Sequence, residues 1–543
     1  MEKTNLEKTK HQSSEAAMLF ILIVVQLALV FLMQMRTIVN SDGIFSYTLA
    51  NNPYAYVFID GMYNEFPQNN GWLSAHILRE NYVVEEYDRF NYEGVYHHQR
   101  YDVHPPLYYF LVHTISSFFV GQYSVFHTLA INLVALLIID ILLVQLFQEL
   151  YGKKGYGLVP FVLLSSLDVM LFLFTWSRMY MLLFMFCFWY LLIHWKLIKN
   201  RECWKKTYLV QMVLCIFLGT MTHYYFYVYA ACLTLFAMFF FIYEKRKYAV
   251  LNYIYAGVVG IMASWIAFPW VVAHIFGNAQ GKHADITPWS LEKVGSYVEF
   301  CNEQLFNGRM WIAILILALL CLEGGQRQNS GNVGKEISLS DKRIFKVMVF
   351  GSGIFYSLII YTLDGGTQYY STPFYMTFII WFSMILIDLI SKKKFFLRKD
   401  ISIIVMAVIC VVVITSASVG QRCIANAIEV VNAAMNHTSL KSSFYRVSED
   451  YSQYDCIFIE QEQNGLLQNL WFEFGEYDEF KKIAVADFNQ CGIDKSILKG
   501  RKTKEGGILV YAPVSCVLYE EHYRLIAEGS TYHIYEIINE AEW

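Results

Sequence analysis

Four short stretches of this 543-residue chain put acids, imidazoles or a guanidinium at the edges of apolar runs, where such groups can do chemistry. In "NSDGIFSYTLANN", Asp42 stands just beyond the first apolar run. A carboxylate there can act as general base toward a hydroxyl or ligate a cation. It can equally cap a helix, since "SDGIFSY" reads as a helix start. In "YDVHPPLYY", Asp102 and His104 are two residues apart, and Pro105 and Pro106 stiffen the backbone that follows. Such a pair can orient a sugar or ligate a metal; the plainer alternative is a turn with a capping acid. Arg178 in "TWSRMYMLLF" can grip a phosphate bidentately or snorkel to a membrane interface. His223, followed by Tyr224 and Tyr225 in "THYYFYV", stands at a similar edge, where an interfacial aromatic belt accounts for the tyrosines without any chemistry.

The elements that must position these groups are membrane spans. Hydrophobic residues make up 56% of the chain and aromatic ones 17%, against 16% charged, an apolar share above that of ordinary soluble proteins. A net charge of -4 without a long basic stretch argues against a nucleic-acid partner. The first apolar run, Met18 to Met35, is too long for a signal peptide and no small-residue cleavage site follows, so it reads as an uncleaved span. Lys3, Lys8 and Lys10 precede it and assign the N-terminus to the cytoplasm. Further runs begin near Phe126, Gly157, Met179, Tyr208, Phe226, Tyr248, Met310, Val347, Tyr369 and Ile401, about eleven crossings in all at roughly 20 residues each.

Leu107 to Val120, about 14 residues, has the length of a re-entrant or interfacial segment. Charge arbitrates. If it does not span, the loops holding Lys153 and Lys154, Lys196 to Lys206, Lys245 to Lys247, Arg327 to Lys346 and Lys392 to Lys399 all face the cytoplasm; if it spans, all are reversed against the positive-inside rule. The non-spanning reading puts the long first loop (36–106), "TWSRMY", "MTHYYF", "HIFGNAQGKHADITPW" and "LDGGTQYYSTPFY" together on the outside. Within the spans, Asp140 and Asp388 have no evident basic partner and read as structural or near-interface groups, while Asp168 shares a hairpin with Arg178.

Beyond Gln421 the composition changes. "DCIFIEQ", "KKIAVADF", "GGILVYAP" and "YHIYEII" alternate with helix-like stretches such as "NGLLQNLWFEFGEY", which predicts a small extracytoplasmic α/β domain over 421–543 behind a mainly α, polytopic membrane domain over 1–420. Eleven cysteines are scattered without metal-type spacing, and Cys423, Cys456, Cys491 and Cys516 of the tail can include one disulfide.

An acid after the first span, "DVHPPLYY" closing the first outer loop, "SRMY" opening a later span and "QYYSTPFY" beginning a late one resemble, in order and side, the membrane-embedded C-type (GT-C) glycosyltransferases. The likeness is to the bacterial relatives of the protein O-mannosyltransferases and the lipid A aminoarabinose transferase, and covers roughly the first 400 residues. It implies inverting transfer of a sugar from a polyprenyl-phosphate donor to an extracytoplasmic glycan, lipid or protein acceptor. Asp42 becomes the base, and Asp102, His104, Tyr108, Arg178, Tyr180, His223, Lys282, Gln368 and Tyr369 the substrate-binding residues. It assigns no certain cofactor and leaves a divalent cation open, with Asp42 and Asp102 as its candidate ligands. The chain departs from the family where Gly43 replaces a second acid, Trp176 replaces the acid before "SRMY", and Gln368 replaces an arginine. Those departures keep open a weakened relative acting as a glycan- or lipid-binding assembly subunit. A lipid-linked sugar transporter would show internal repeats, and none is evident.

Overall fold

The computed structural model describes residues 41–52, 71–74, 79–152, 154–165, 167–200, 205–277, 290–306, 308–311, 339–364, 369–391, 454–460, 483–487, 495–499, 506–516, 521–528 and 532–538, with single positions between them and within 20–27. The helices are α1 (Ser41–Asn51), α2 (Tyr92–Tyr101), α3 (Leu107–Ser116), α4 (Phe126–Tyr151), α5 (Leu158–Ser165), α6 (Asp168–Thr175), α7 (Tyr180–Lys199) and α8 (Lys206–Thr220). They continue with α9 (Tyr225–Tyr243), α10 (Lys247–Ala267), α11 (Val271–Phe276), α12 (Leu291–Phe306), α13 (Leu339–Asp364), α14 (Thr372–Ser391) and α15 (Lys495–Lys499). Contacts divide the chain into two compact units: Met1–Gln34, Val103–Tyr108 and Thr128–Ala427 form one, and Met35–Asp102, Tyr109–His127 and Ile428–Trp543 the other.

The first unit is a helical bundle. Among the described residues six helices are long and apolar enough to cross a membrane, and α5 and α8 are shorter apolar ones. At 1.5 Å per residue, helices of 19 to 26 residues match a hydrocarbon core of about 30 Å. Of these, α7 is buried along almost its whole length, which makes it the bundle's core helix. Close packing of α8 on α10 depends on Gly260, where a Cβ would lie 2.7 Å from Ile216 Cγ2 and 3.2 Å from the Val213 carbonyl. The span expected near Gly157 is two helices, α5 and α6, the second beginning at Asp168. By contrast α3 has 10 residues, about 15 Å, half of what a crossing needs. The expected spans near Met18, Met310 and Ile401 lie wholly or largely outside the described residues.

Asp388 corrects the sequence reading. It is paired with Lys346, because the neighbouring helices α13 and α14 bring residues 42 apart in sequence side by side. Asp140, buried in α4, has no hydrogen-bond partner among the described residues.

The second unit contains a five-stranded sheet built from β1 (Asp455–Glu460), β2 (Ile483–Asp487), β3 (Ile508–Pro513), β4 (Tyr523–Glu528) and β5 (Tyr532–Ile537), in the order β2-β1-β3-β5-β4. Strands β2, β1 and β3 are parallel, and β5 and β4 complete the sheet antiparallel. Four of these strands coincide with the apolar runs of the sequence. The fifth, β4, buries Tyr523 and Ala527 but exposes Arg524, Leu525 and Glu528, and its register shifts between Leu525 and Ala527, so neither an apolar run nor a clean alternation marks it in the sequence. One sheet face packs Ile457, Ile459, Val510 and Tyr535 around Trp72, a residue of the first loop whose Nε1–H donates to the Ile497 carbonyl at 2.7 Å. Cys456 and Cys516 are buried free thiols; Cys423, Cys491 and "NGLLQNLWFEFGEY" fall outside the described residues.

Candidate active site

Within the first unit, four stretches far apart in sequence meet at one end of the bundle. The turn before α3 lacks amide protons at Pro105 and Pro106, and is tied instead by the next residue, whose Leu107 N–H donates to the Met221 carbonyl at 3.0 Å. That bond sets His104 beside the turn between α8 and α9, with the His104 and His223 ring centroids 5.7 Å apart. Asn132 of α4 fixes the turn before α7 by donating to the Trp176 and Phe174 carbonyls at 2.7 and 3.2 Å, and Thr128 and Ser177 share a hydroxyl hydrogen bond of 2.7 Å. From α13, the Tyr356 hydroxyl donates to the Tyr370 carbonyl at 2.6 Å and holds the start of α14.

The result is a continuous cluster of rings. Tyr180 stacks on Trp176 at 5.2 Å and lies 4.8 Å from Tyr369, 5.5 Å from His223 and 5.8 Å from Tyr370. Trp176 meets Tyr369 edge-on at 4.6 Å, and Tyr225 meets Tyr370 at 4.7 Å. Offset and edge-to-face pairs at these separations favour a fixed arrangement of the rings.

His223 is the polar centre of the cluster. Its Nδ1 accepts the Tyr225 backbone N–H at 3.1 Å, so the neutral ring carries its proton on Nε2, and that nitrogen is buried with no hydrogen-bond partner among the described residues. Burial, then His104, then the positive charge of Arg178 hold the His223 pKa well below the usual histidine value. The group is therefore a neutral N–H donor, with a guanidinium near enough to act on it. Together they can receive an anionic oxygen: Arg178 supplies charge and His223 a directed hydrogen bond.

Thus the structure brings together His104, Arg178, Tyr180, His223 and Tyr369 of the sequence-predicted residues, and Tyr108 is buried in the first turn of α3. Asp102 belongs to the second unit, where it ends α2 with its backbone N–H on the His98 carbonyl. Lys282 and Gln368 lie outside the described residues. Asp42 is in the first turn of α1, and its side chain is likewise outside the description. The rings of Trp176, Tyr225 and Tyr370 complete the cluster without having been singled out as binding groups; the doublets "HYYF" and "QYYS" were the available signal. Among the described residues no three metal-ligating side chains are grouped.

The helix that carries Asp42 is anchored at its other end. Asn51 donates to the Tyr82 carbonyl at 2.9 Å and to Ser116 Oγ at 3.1 Å, Asn52 donates to Asn81, and the Tyr47 hydroxyl donates to the Ser124 carbonyl at 2.8 Å. Nδ1–H of His98, buried in α2, donates to the Leu49 carbonyl at 3.1 Å, and burial lowers the His98 pKa to about 4.

No protein-family model matches the chain, and no curated protein matches it in sequence. Among solved structures it is similar to ArnT from Cupriavidus metallidurans, in a crystal structure bound to undecaprenyl phosphate and in one of the apo state. Each shows a TM-score of 0.49 and 9% identity, over 96% of this chain and 98% of that one. At that identity no residue role carries over.

Proposed function

We propose that the chain is a polytopic membrane glycosyltransferase of the GT-C type that moves a sugar from a polyprenyl-phosphate donor to an extracytoplasmic acceptor by inversion. The observation that carries this reading is the meeting of "VHPPLY", "SRMY", "THYY" and "YYS" around one guanidinium, one neutral imidazole donor and a wall of rings. In this reading the acceptor hydroxyl attacks the anomeric carbon and Asp42 takes its proton. The bond from that carbon to the phosphate oxygen breaks, and Arg178 and His223 stabilise the leaving lipid phosphate. The rings of Tyr180, Tyr369 and Trp176 suit the apolar faces of a sugar or the first isoprene units. Asp102, Lys282 and Gln368 remain supporting candidates for substrate, and Asp42 and Asp102 for a cation.

Helix direction supports the orientation. α7, α9 and α13 each have one end at the ring cluster and the other among Lys199, Lys245, Arg246, Lys342, Arg343 and Lys346, which the positive-inside rule assigns to the cytoplasm. The proposal thus keeps the N-terminus cytoplasmic and the C-terminal domain outside.

One observation favours a second reading. Where the resemblance leads one to expect an acid, Trp176 stands instead, with its ring packed on Tyr180 and Tyr369. A chain so altered can bind donor without turning it over. Incubating membranes that contain the protein with radiolabelled polyprenyl-phosphate sugars separates the two: transfer supports the enzyme, and retention on the protein without transfer supports a binding subunit.

A further inference from the structure

A groove of about 270 Å³ opens at the basic end of the bundle, between the last turns of α7 and α9 and the first turns of α13. Phe236, Phe240, Val347 and Met348 form its walls. Its depth has a local cause: Phe236 lies against Gly351, where a Cβ would sit 2.4 Å from the ring. The volume is roughly twice that of the ~150 Å³ apolar cavities that admit a benzene ring, and apolar walls of this kind leave water without partners. Its outer edge is formed by Phe239 and Val347, 76% and 65% exposed on helices read as spans, so the groove opens sideways toward lipid and not toward water.

Charge marks the mouth of this groove. Four nearby cations are engaged, Lys346 with Asp388, Lys199 with Glu149, Arg246 with Glu244, and Lys342 over the Tyr151 ring, while Lys196 and Lys245 make no ion pair among the described residues but do not line the groove. Arg343, exposed at the groove's rim, makes no ion pair, hydrogen bond or ring contact among the described residues. A guanidinium without a protein anion among the described residues, at the mouth of an apolar slot reached from the bilayer, matches a molecule with a phosphate head and a hydrocarbon tail.

We infer that this groove is a binding site for an anionic glycerophospholipid of the cytoplasmic leaflet, with the head-group phosphate on Arg343 and an acyl chain between α9 and α13. It is separate from the donor site proposed above, being at the other end of the helices, and does not depend on glycosyl transfer. The test is native mass spectrometry of the full-length protein, delipidated in detergent and titrated with phosphatidylglycerol or phosphatidylcholine of matched chains. Wild type binds one phosphatidylglycerol about fivefold more tightly than phosphatidylcholine, the scale of one cation at an anionic surface. Arg343→Gln removes that preference, and Val347→Trp, which fills the slot, weakens both lipids. Equal affinities in wild type, or a preference that survives Arg343→Gln, overturns the inference. So does competition by glycerol 3-phosphate, which would mark a site for free anions, or tighter binding of polyprenyl phosphate than of phosphatidylglycerol. Because Arg343 is exposed and unpaired among the described residues, unchanged elution and thermal stability of Arg343→Gln are expected, and the comparison is then one of binding alone.

Discussion

His223 has one hydrogen-bonding duty already assigned, to the Tyr225 amide, and that duty decides the other. The Nε2–H that remains is a donor at any pH where the ring is neutral, and burial, His104 and Arg178 keep it neutral well below the usual histidine range. Activity between pH 6 and 8 therefore shows no inflection from His223. His223→Gln, which keeps a neutral donor, lowers kcat/KM without changing the shape of the pH–rate profile; a profile that loses an inflection in this variant would contradict the neutral-donor role. Arg178 carries the charge. Replacing it with Ala is expected to lower transfer about 100- to 1,000-fold, the scale of losing one transition-state donor, and Lys restores only part because it cannot chelate two oxygens. Both effects are read from initial rates at saturating and limiting donor. These residues were legible in the sequence because polar and aromatic groups at the ends of apolar runs stand out. That Trp176, Tyr225 and Tyr370 are their neighbours was not, since sequence spacing does not say which helix ends meet.

Helices in this bundle are set by small residues as much as by large ones. Gly260 lets α10 approach α8 until Ile216 and the Val213 carbonyl leave no room for a side chain, so Gly260→Val is expected to destabilise by about 1–3 kcal/mol, measured as a lower Tm in detergent. A second element-level prediction concerns the anchor of α1. The folded pKa of His98, about 4, lies below its unfolded value of about 6.5. The unfolded chain thus takes up the proton first as pH falls. Stability from this group is complete above pH 6.5 and is lost between pH 6.5 and 4, on the order of 3 kcal/mol. Hydrogen exchange of the Ser41–Asn51 amides should accelerate over that window, and less so in His98→Asn. The break between α5 and α6 and the Lys346–Asp388 pair escaped the sequence for one reason. Hydropathy marks where a run is apolar, and neither where the backbone interrupts it nor which run lies alongside.

At the scale of the molecule, the sheet of the second unit is closed by a residue from far upstream. Trp72 is 3% exposed within a core otherwise drawn from the last hundred residues. Its replacement by Ala should cost about 3–5 kcal/mol of that unit's stability, and by Phe about 1 kcal/mol for the lost bond to Ile497, as followed by limited proteolysis of the tail. The apolar strands and the helical bundle could be read from composition and period, whereas a loop residue entering a distant core leaves no periodic trace. Function at this scale rests on the proposed role of Asp42 as the base. The most direct measurement is transfer of label from radiolabelled polyprenyl-phosphate sugars to acceptor in membranes bearing wild type or Asp42→Asn at equal expression. The account predicts acceptor labelling for at least one sugar in wild type and its loss in Asp42→Asn. Full activity in Asp42→Asn, or label that stays on the lipid for every sugar, would contradict it.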